Sequence, residues 1–392
     1  MTDLIEVIAM TIEEYRFSAY KPSAYPVWHK RKVPFNPSIR VPQGYSRRVK
    51  EIREMDSRMS GFILGEGDYM AFFNEALASS IHYSTKIEGN PLDHSEVKRL
   101  TRRSTAGQDL VEKDSAHLEV FNHLYAFLSV IRGGMAFPWS REMILNLHYL
   151  MFNGVIKDAG IYRKERSSIQ TETGFETFIA APPEHIDGEM SSLLEWLNHS
   201  APAYDPIAAA TVFFHEFESI HPFENGNGRI GRFLLRAYLQ KYFSNAHLCK
   251  IEERILRDTE LYYELLGWTD ENRDYSVLID FVSSAVLEGY REAEKYFAER
   301  DILGKGLDDT SLRIIFRARQ KGGDFTVKEA NNWVQGVGYG TVRRRLNELV
   351  EGGLLVARGN TRGRRYRFAD PLQDVLSRFG ETVEYGDLLM SR

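Results

Sequence analysis

Between helical periodicity over 205–220 and a second helical run that follows Gly231 lies His221-Pro222-Phe223-Glu224-Asn225-Gly226-Asn227-Gly228-Arg229-Ile230-Gly231-Arg232. The stretch reads as a loop that opens onto a helix N-terminus. Gly226 and Gly228 allow positive φ and let the backbone approach a ligand closely. Successive N–H groups in such a turn form an anion nest, and the helix start adds positive potential. Arg229 and Arg232 lie three apart and share a helix face, and guanidinium groups match phosphate oxygens. His221 can accept a proton from a hydroxyl near neutral pH. Glu224 offers a hard oxygen to Mg²⁺, which usually keeps water and phosphate as its other ligands. Taken singly, each feature has a plain structural reading: a capping histidine, a turn, a solvated arginine face. Together in one loop they are an inventory for polyphosphate chemistry.

The rest of the chain gives this loop a helical setting. Phe72, Phe73, Leu77, Ile81 and Ile87 fall at spacings of a buried helix face within 48–88. That run stops at Gly89-Asn90-Pro91. Residues 112–156 predict two helices split near Gly133-Gly134 and Pro138. Residues 160–181 predict a short β-hairpin that ends at Pro182-Pro183. Residues 15–48, rich in Tyr, Trp and Pro, predict an extended arm packed on the body. The expected fold class is mainly α, a helical bundle with a small hairpin. The expected division is 1–104 for the arm and a first helical part, 105–300 for the core, 305–370 for a separate module and 371–392 for a tail.

Charge marks the module off. Residues 305–370 carry 14 Lys/Arg against 7 Asp/Glu, a local net of +7, so with −5 overall the remainder carries −12. Gly304-Lys305-Gly306 is a linker candidate, and three short helices near 309–320, 326–335 and 341–351 precede strands near 354–358 and 364–368. That order is a winged helix-turn-helix. Arg343 and Arg344 project from its recognition helix, and Arg364 and Arg365 sit in its wing. Such arginines suit DNA phosphates, although modules of this kind also serve protein contacts or dimerisation. The lone Cys249 excludes an intrachain disulfide. No stretch is long and apolar enough to span a membrane, and the N-terminus lacks a signal-peptide pattern. A cytoplasmic location is the expectation.

The His221–Arg232 loop resembles the signature of the Fic family, His-Pro-Phe-x-(Asp/Glu)-Gly-Asn-Gly-Arg-x-x-Arg. Gly160-Ile161-Tyr162-Arg163 and Phe178-Ile179-Ala180-Ala181-Pro182-Pro183 resemble its flap, which holds an extended target segment by main-chain pairing. The resemblance spans roughly residues 70–295. It implies a protein adenylyltransferase, with ATP as donor, Mg²⁺ as the metal and a protein hydroxyl, including one on the chain itself, as acceptor. His221 would be the base, Asn227 would seat the α-phosphate, Arg229 would contact the phosphate chain and Arg232 would hold the γ-phosphate. Glu224, the only carboxylate of the loop, takes the metal role. Phe178 and Ile179 would line the target-binding flap. Ser84-Thr85-Lys86-Ile87-Glu88-Gly89-Asn90 resembles the family's inhibitory motif, placed N-terminal to the core. Glu88 would pair with Arg232 and withhold it from ATP, and Ser84, one turn earlier, would help hold the helix. In some relatives the same glutamate supports removal of AMP. Two whole-protein readings stand: an adenylyltransferase, with a homodimer left open, or a DNA-binding regulator with a nucleotide-sensing core.

Overall fold

The computed structural model describes residues 26–108, 114–133, 135, 137–170, 174–301, 306–360 and 363–381. The first part of the arm, Thr171 and Thr173 of the hairpin, most of the linker, Arg362 and residues 382–392 lie outside the described residues. Among those described, no helix is long and apolar enough to cross a membrane.

The bundle is built around one helix that is apolar almost all round. Asp205 caps it through Ile207 N–H, Pro206 opens it, and α7 then runs Pro206–Ile220 with nearly every side chain buried. A helix buried on every side belongs in the centre of a core. Its neighbours are α8 (Asn227–Tyr242), α11 (Ser276–Arg300) and α6 (Pro183–Glu195). Around them stand α1 (Tyr45–Met59), α2 (Glu66–Ile87), α3 (His94–Thr105), α4 (Ser115–Gly133), α5 (Arg141–Phe152), α9 (Ile251–Arg257) and α10 (Thr259–Asn272).

The stretch expected to be helical over 48–88 is two helices. Ser60 ends α1, Gly65 starts α2, and between them Ile63 is buried in a different core from its neighbours. Helix α2 ends where the sequence predicts: Glu88 is its C-cap, and Gly89 follows at φ 89°.

The hairpin is shorter than expected and has gained a strand. Strands β2 (Ser168–Gln170) and β3 (Glu176–Ile179) pair antiparallel, Ile169 opposite Phe178. Strand β1 (Val27–Trp28) joins the other edge of β3 in parallel, Val27 beside Phe178. Part of the arm is therefore a strand of the flap. His29 N–H extends the pairing to the carbonyl of Ile179 at 2.7 Å.

Beyond the bundle, α12 (Asp309–Lys321), α13 (Val327–Trp333), α14 (Tyr339–Glu351) and the hairpin β4 (Leu355–Arg358) with β5 (Arg365–Phe368) enclose a core of their own. Thr326 and Glu329 form a capping box at the start of α13. Ile63 from the α1–α2 connection fills this second core. Part of the segment expected as a tail is helix α15 (Pro371–Glu381), whose Val375 and Leu376 return to the main core against α2 and α4.

One buried side chain ties the flap to the bundle. Arg163 is 5% exposed. Its guanidinium donates to the carbonyls of His221 (2.7 Å), Glu165 (2.7 Å), Ala181 (2.5 Å) and Ile220 (3.2 Å), while its own N–H donates to Pro222 O at 2.9 Å. A fork of donors can serve several acceptors that an ammonium cannot. Losing a donor from a buried acceptor costs about 1–3 kcal/mol each. Arg163→Met is therefore expected to lose at least about 3 kcal/mol of unfolding free energy in a urea titration, and Arg163→Lys to recover only part of it. A Met variant with a wild-type midpoint would show that water replaces the guanidinium at no cost.

Candidate nucleotide site

The geometry begins at the junction of α7 and α8. His221 is the C-cap of α7 with φ 52° and ψ 61°, the left-handed region, which costs a side-chain-bearing residue about 1–2 kcal/mol. Its N–H still bonds Phe217 O at 2.9 Å, and Arg163 holds its carbonyl. The chain thus turns off the helix while remaining hydrogen-bonded to it.

The loop that follows is held from beneath. Phe223 is fully buried and stacks on His148, ring centroids 3.7 Å apart. His148 Nδ1 accepts from Gly160 N–H at 2.8 Å, which leaves Nε2–H to donate to Asn225 O at 2.9 Å. Burial pushes the His148 pKa down to about 4, consistent with this neutral form. Asn227 spends its amide within the loop: Oδ1 accepts from Phe223 N–H at 2.9 Å, and Nδ2 donates to Phe223 O at 2.7 Å. Gly226 stands at φ 86°, and a Cβ there would meet the Phe152 ring at 2.5 Å. Both its conformation and its close approach require glycine.

A cavity of about 640 Å³ opens over the N-terminus of α8. Its volume is that of a small-molecule site. His221, Gly228, Arg232 and Glu88 line one part of it, Ile169, Thr177 and Phe178 bring in the flap, and Tyr262 and Tyr263 of α10 face them. The first turn of α8 has N–H groups without intrahelical acceptors, and Gly226 offers no side chain to cap them. Glu88 comes up against this turn. Its Oε1 lies so close to Gly228 that a Cβ there would collide with it.

Glu88 also meets Arg232, Nη2 to Oε1 at 2.8 Å. Arg232 is anchored further by Ser84, through Nε to Oγ at 3.2 Å and Nη2 to the carbonyl at 3.0 Å. A cation over the last carbonyls of α2 is favourably placed against the helix dipole. Burial works to raise the Glu88 pKa, but Arg232 outweighs it and holds the carboxyl below its usual range. Arg229 is ion-paired instead with Glu119 of α4, and its guanidinium lies over the Phe152 ring at 4.5 Å.

Two groups in the cavity have unusual protonation. Desolvation pushes the His221 pKa down to about 4. Its Nδ1 lies 3.2 Å from Glu218 O, so the N–H belongs there and Nε2 carries the lone pair. Glu218, in the last turn of α7, is pushed up to about 8 by burial despite Arg232 nearby. Its Oε1 lies over Gly231, where any Cβ would collide with it. A carboxyl that is neutral at pH 7 is a hydrogen-bond donor.

Glu224 and Asn225 lie on the exposed side of the loop, and neither lines the cavity. Among the described residues no three His, Cys, Asp or Glu side chains converge on a metal-sized position. The loop's one carboxylate, Glu224, thus faces away from the cavity, so an ion over the phosphates would rest mostly on phosphate and water unless that side chain turned in. In the second core Arg343, Arg344 and Arg365 are exposed, whereas Arg364 is half-buried with its guanidinium 5.3 Å from the Tyr366 ring. Sequence reasoning missed Glu119, His148 and Glu218. Glu218 had a local signal, a glutamate one turn before His221 near the end of a mostly apolar helix, but the other two have none.

Residues 138–239 match the Fic/DOC family. A protein of Nematostella vectensis named "Protein adenylyltransferase Fic" is 24% identical over 280 residues, 69% of this chain and 60% of that protein. "Protein adenylyltransferase fic-1" of Caenorhabditis briggsae is 30% identical over 195 residues, 48% of this chain and 36% of that protein. The chain thus spans less than two thirds of the length of either relative. The crystal structure of a Fic family protein from Desulfovibrio desulfuricans superposes with a TM-score of 0.57 at 23% identity, covering 85% of this chain and 98% of that one, so the two share a fold. The similarity to the Fic/DOC family thus lies in residues 138–239, and the chain is similar over a longer stretch to proteins named protein adenylyltransferases.

Proposed function

We propose that the chain is an enzyme that moves AMP from ATP to a Ser, Thr or Tyr hydroxyl of a protein, itself included, and that Glu88 holds it inactive. The observation that carries this reading is the meeting of His221, Arg232 and the α8 N-terminus in one cavity, with the Glu88 carboxylate paired to Arg232 and lying against Gly228. With Glu88 withdrawn, the α8 N–H groups and Arg232 would take phosphate oxygens. The target hydroxyl would attack the α-phosphorus and pass its proton to His221 Nε2. The bond to the bridging oxygen would break and pyrophosphate would leave. Mg²⁺, with Glu224 as its protein ligand once that side chain turns in toward the cavity, would neutralise phosphate charge. The β2 edge of the flap, with Phe178 and Ile179 on the strand behind it, would take the target segment in extended form.

Glu88→Gly protein with α-labelled ATP and a divalent ion is expected to label itself well above wild type, and His221→Ala added to it should abolish the label, since general-base catalysis contributes ~10²–10⁴ in rate. Label that follows the γ-phosphate, or none from the Glu88→Gly protein, would sink the reading. The pH profile carries its own signature. His221 must be neutral to act, so kcat/KM of the Glu88→Gly enzyme should hold from pH 7 down and fall only near 4. On the alkaline side, ionisation of Glu218 brings negative charge into the phosphate site, so activity should decline as pH rises through about 8. That limb should lie somewhat lower without Glu88, which helps to raise it. Bound phosphate would raise the His221 pKa, so the acid limb of kcat should lie above that of kcat/KM. An acid limb of kcat/KM at the ordinary histidine value would show instead that His221 is not desolvated in the active enzyme.

A second reading, duplex DNA binding, rests on the exposed Arg343, Arg344 and Arg365 of the C-terminal unit. Arg345 is spent on Asp308 and Glu348, each at 2.6 Å. The full chain should then bind duplex with a log–log salt slope that flattens by up to about 2 on replacing Arg364 and Arg365 with Ala. No binding at low salt would leave the unit as a protein-docking or dimerisation module.

A further inference from the structure

Both arginines that follow the nest are held by carboxylates of the chain itself, and the two holds are joined. Glu119 is 7% exposed and divides its oxygens between two elements. Oε1 pairs with Arg229 Nη1, and Oε2 accepts from Asn90 Nδ2 at 2.9 Å. Asn90, 6% exposed, sits in the turn that carries Glu88 and is fully engaged. Its N–H donates to Thr85 O at 3.0 Å, Nδ2 also reaches Ala116 O at 3.2 Å, and Oδ1 accepts from Leu92 N–H at 3.0 Å. The position of the Glu88 backbone is therefore set two residues downstream.

We propose that Glu119 is a positioning residue that maintains the inhibited state, tying the Glu88 turn to Arg229 so that both arginines are withheld from phosphate together. The inference rests on the adenylyl-transfer reading. Its physical basis is that a buried carboxylate cannot give up one partner alone. If Glu88 swings out, Asn90 must move with it, and Glu119 Oε2 loses a donor in a place water does not readily reach. If Arg229 turns toward phosphate, the Glu119 charge is left unpaired, the costliest state for a buried ion. Hydrogen bonds to charged groups are stronger than neutral ones, so the link adds to the Glu88–Arg232 pair. Phe152, which packs beneath both Arg229 and Gly226, carries the same coupling into the loop.

The test uses the full chain with Asn90→Ala and Glu119→Gln, each alone and with Glu88→Gly. It reads autolabelling by α-labelled ATP, and amide hydrogen exchange over residues 84–90 without nucleotide. Asn90→Ala leaves the buried Glu119–Arg229 pair intact, so it remains informative if Glu119→Gln folds poorly. Each single variant should raise labelling about tenfold over wild type, the factor expected for one lost hydrogen bond to a charged group, and speed exchange at 84–90. Added to Glu88→Gly, Asn90→Ala should change labelling by less than about twofold, because the carboxylate it positions is gone. Unchanged exchange and labelling in both variants, beside an active Glu88→Gly protein, would overturn the proposal. An equal gain from Asn90→Ala with and without Glu88 would also overturn it. Faster exchange in both variants with no labelling even from Glu88→Gly would leave the link standing and remove the adenylyl-transfer reading instead.

Discussion

The loop depends on Arg163. A central apolar helix has to end, and its last carbonyls have to find donors inside a bundle with little water. Arg163 supplies them from outside the helix, and from the same guanidinium it reaches Ala181 at the end of the flap. His221 can then adopt a left-handed conformation, which turns the chain sharply enough for α8 to start beside the end of α7. Without that turn the imidazole and the α8 N-terminus would not share a cavity. The flap and the loop therefore have a common anchor, and neither can shift far without breaking its bonds to one side chain.

The electrostatics of the cavity follow from the same crowding. It is built to hold an anion, yet carboxyl groups lie in it and close behind it. Each is dealt with differently. Glu88 is ionised because Arg232 is beside it. Glu119 is paired at the back of the loop with Arg229. Glu218 has Arg232 nearby, but burial dominates and the group is protonated at neutral pH. Two negative charges beside one arginine would be unstable in a desolvated site, and one of them takes up a proton.

What the sequence made legible was local. The loop reads directly because its glycines, asparagines and arginines are contiguous, and a helix stop such as Gly89-Asn90-Pro91 is written in neighbouring residues. The limits of the hairpin and the break at Ser60–Gly65 were blurred, since short strands and helix connections have weak periodicity. The parallel addition of Val27–Trp28 to β3 was invisible, because it joins positions about 150 residues apart and only the fold supplies the register. The same holds for Glu119, an ordinary glutamate in an amphipathic helix until α4 and α8 are packed together. Asn227 and Arg229 show the converse. The family resemblance implies phosphate contacts for both, and the fold adds internal partners that the sequence does not announce, Phe223 for one and Glu119 for the other.

The Glu88–Arg232 pair is unequal in a way that suits a releasable contact. The arginine side chain is 3% exposed and the glutamate 28%. A pair buried at both ends resists separation because each ion loses solvation and gains none back. Here the glutamate side chain is already partly exposed, and its carboxylate can regain hydration by moving outward with the end of α2. The arginine stays, but it is not stranded, since the Ser84 hydroxyl and carbonyl both accept from it. Those same acceptors belong to α2, so an outward movement confined to the last turn leaves Arg232 less well satisfied than before. An incoming anion would complete its coordination. The buried cation is then the element that makes the anion site competitive: whichever carboxylate or phosphate reaches it relieves the same unmet charge, and occupancy by one excludes the other.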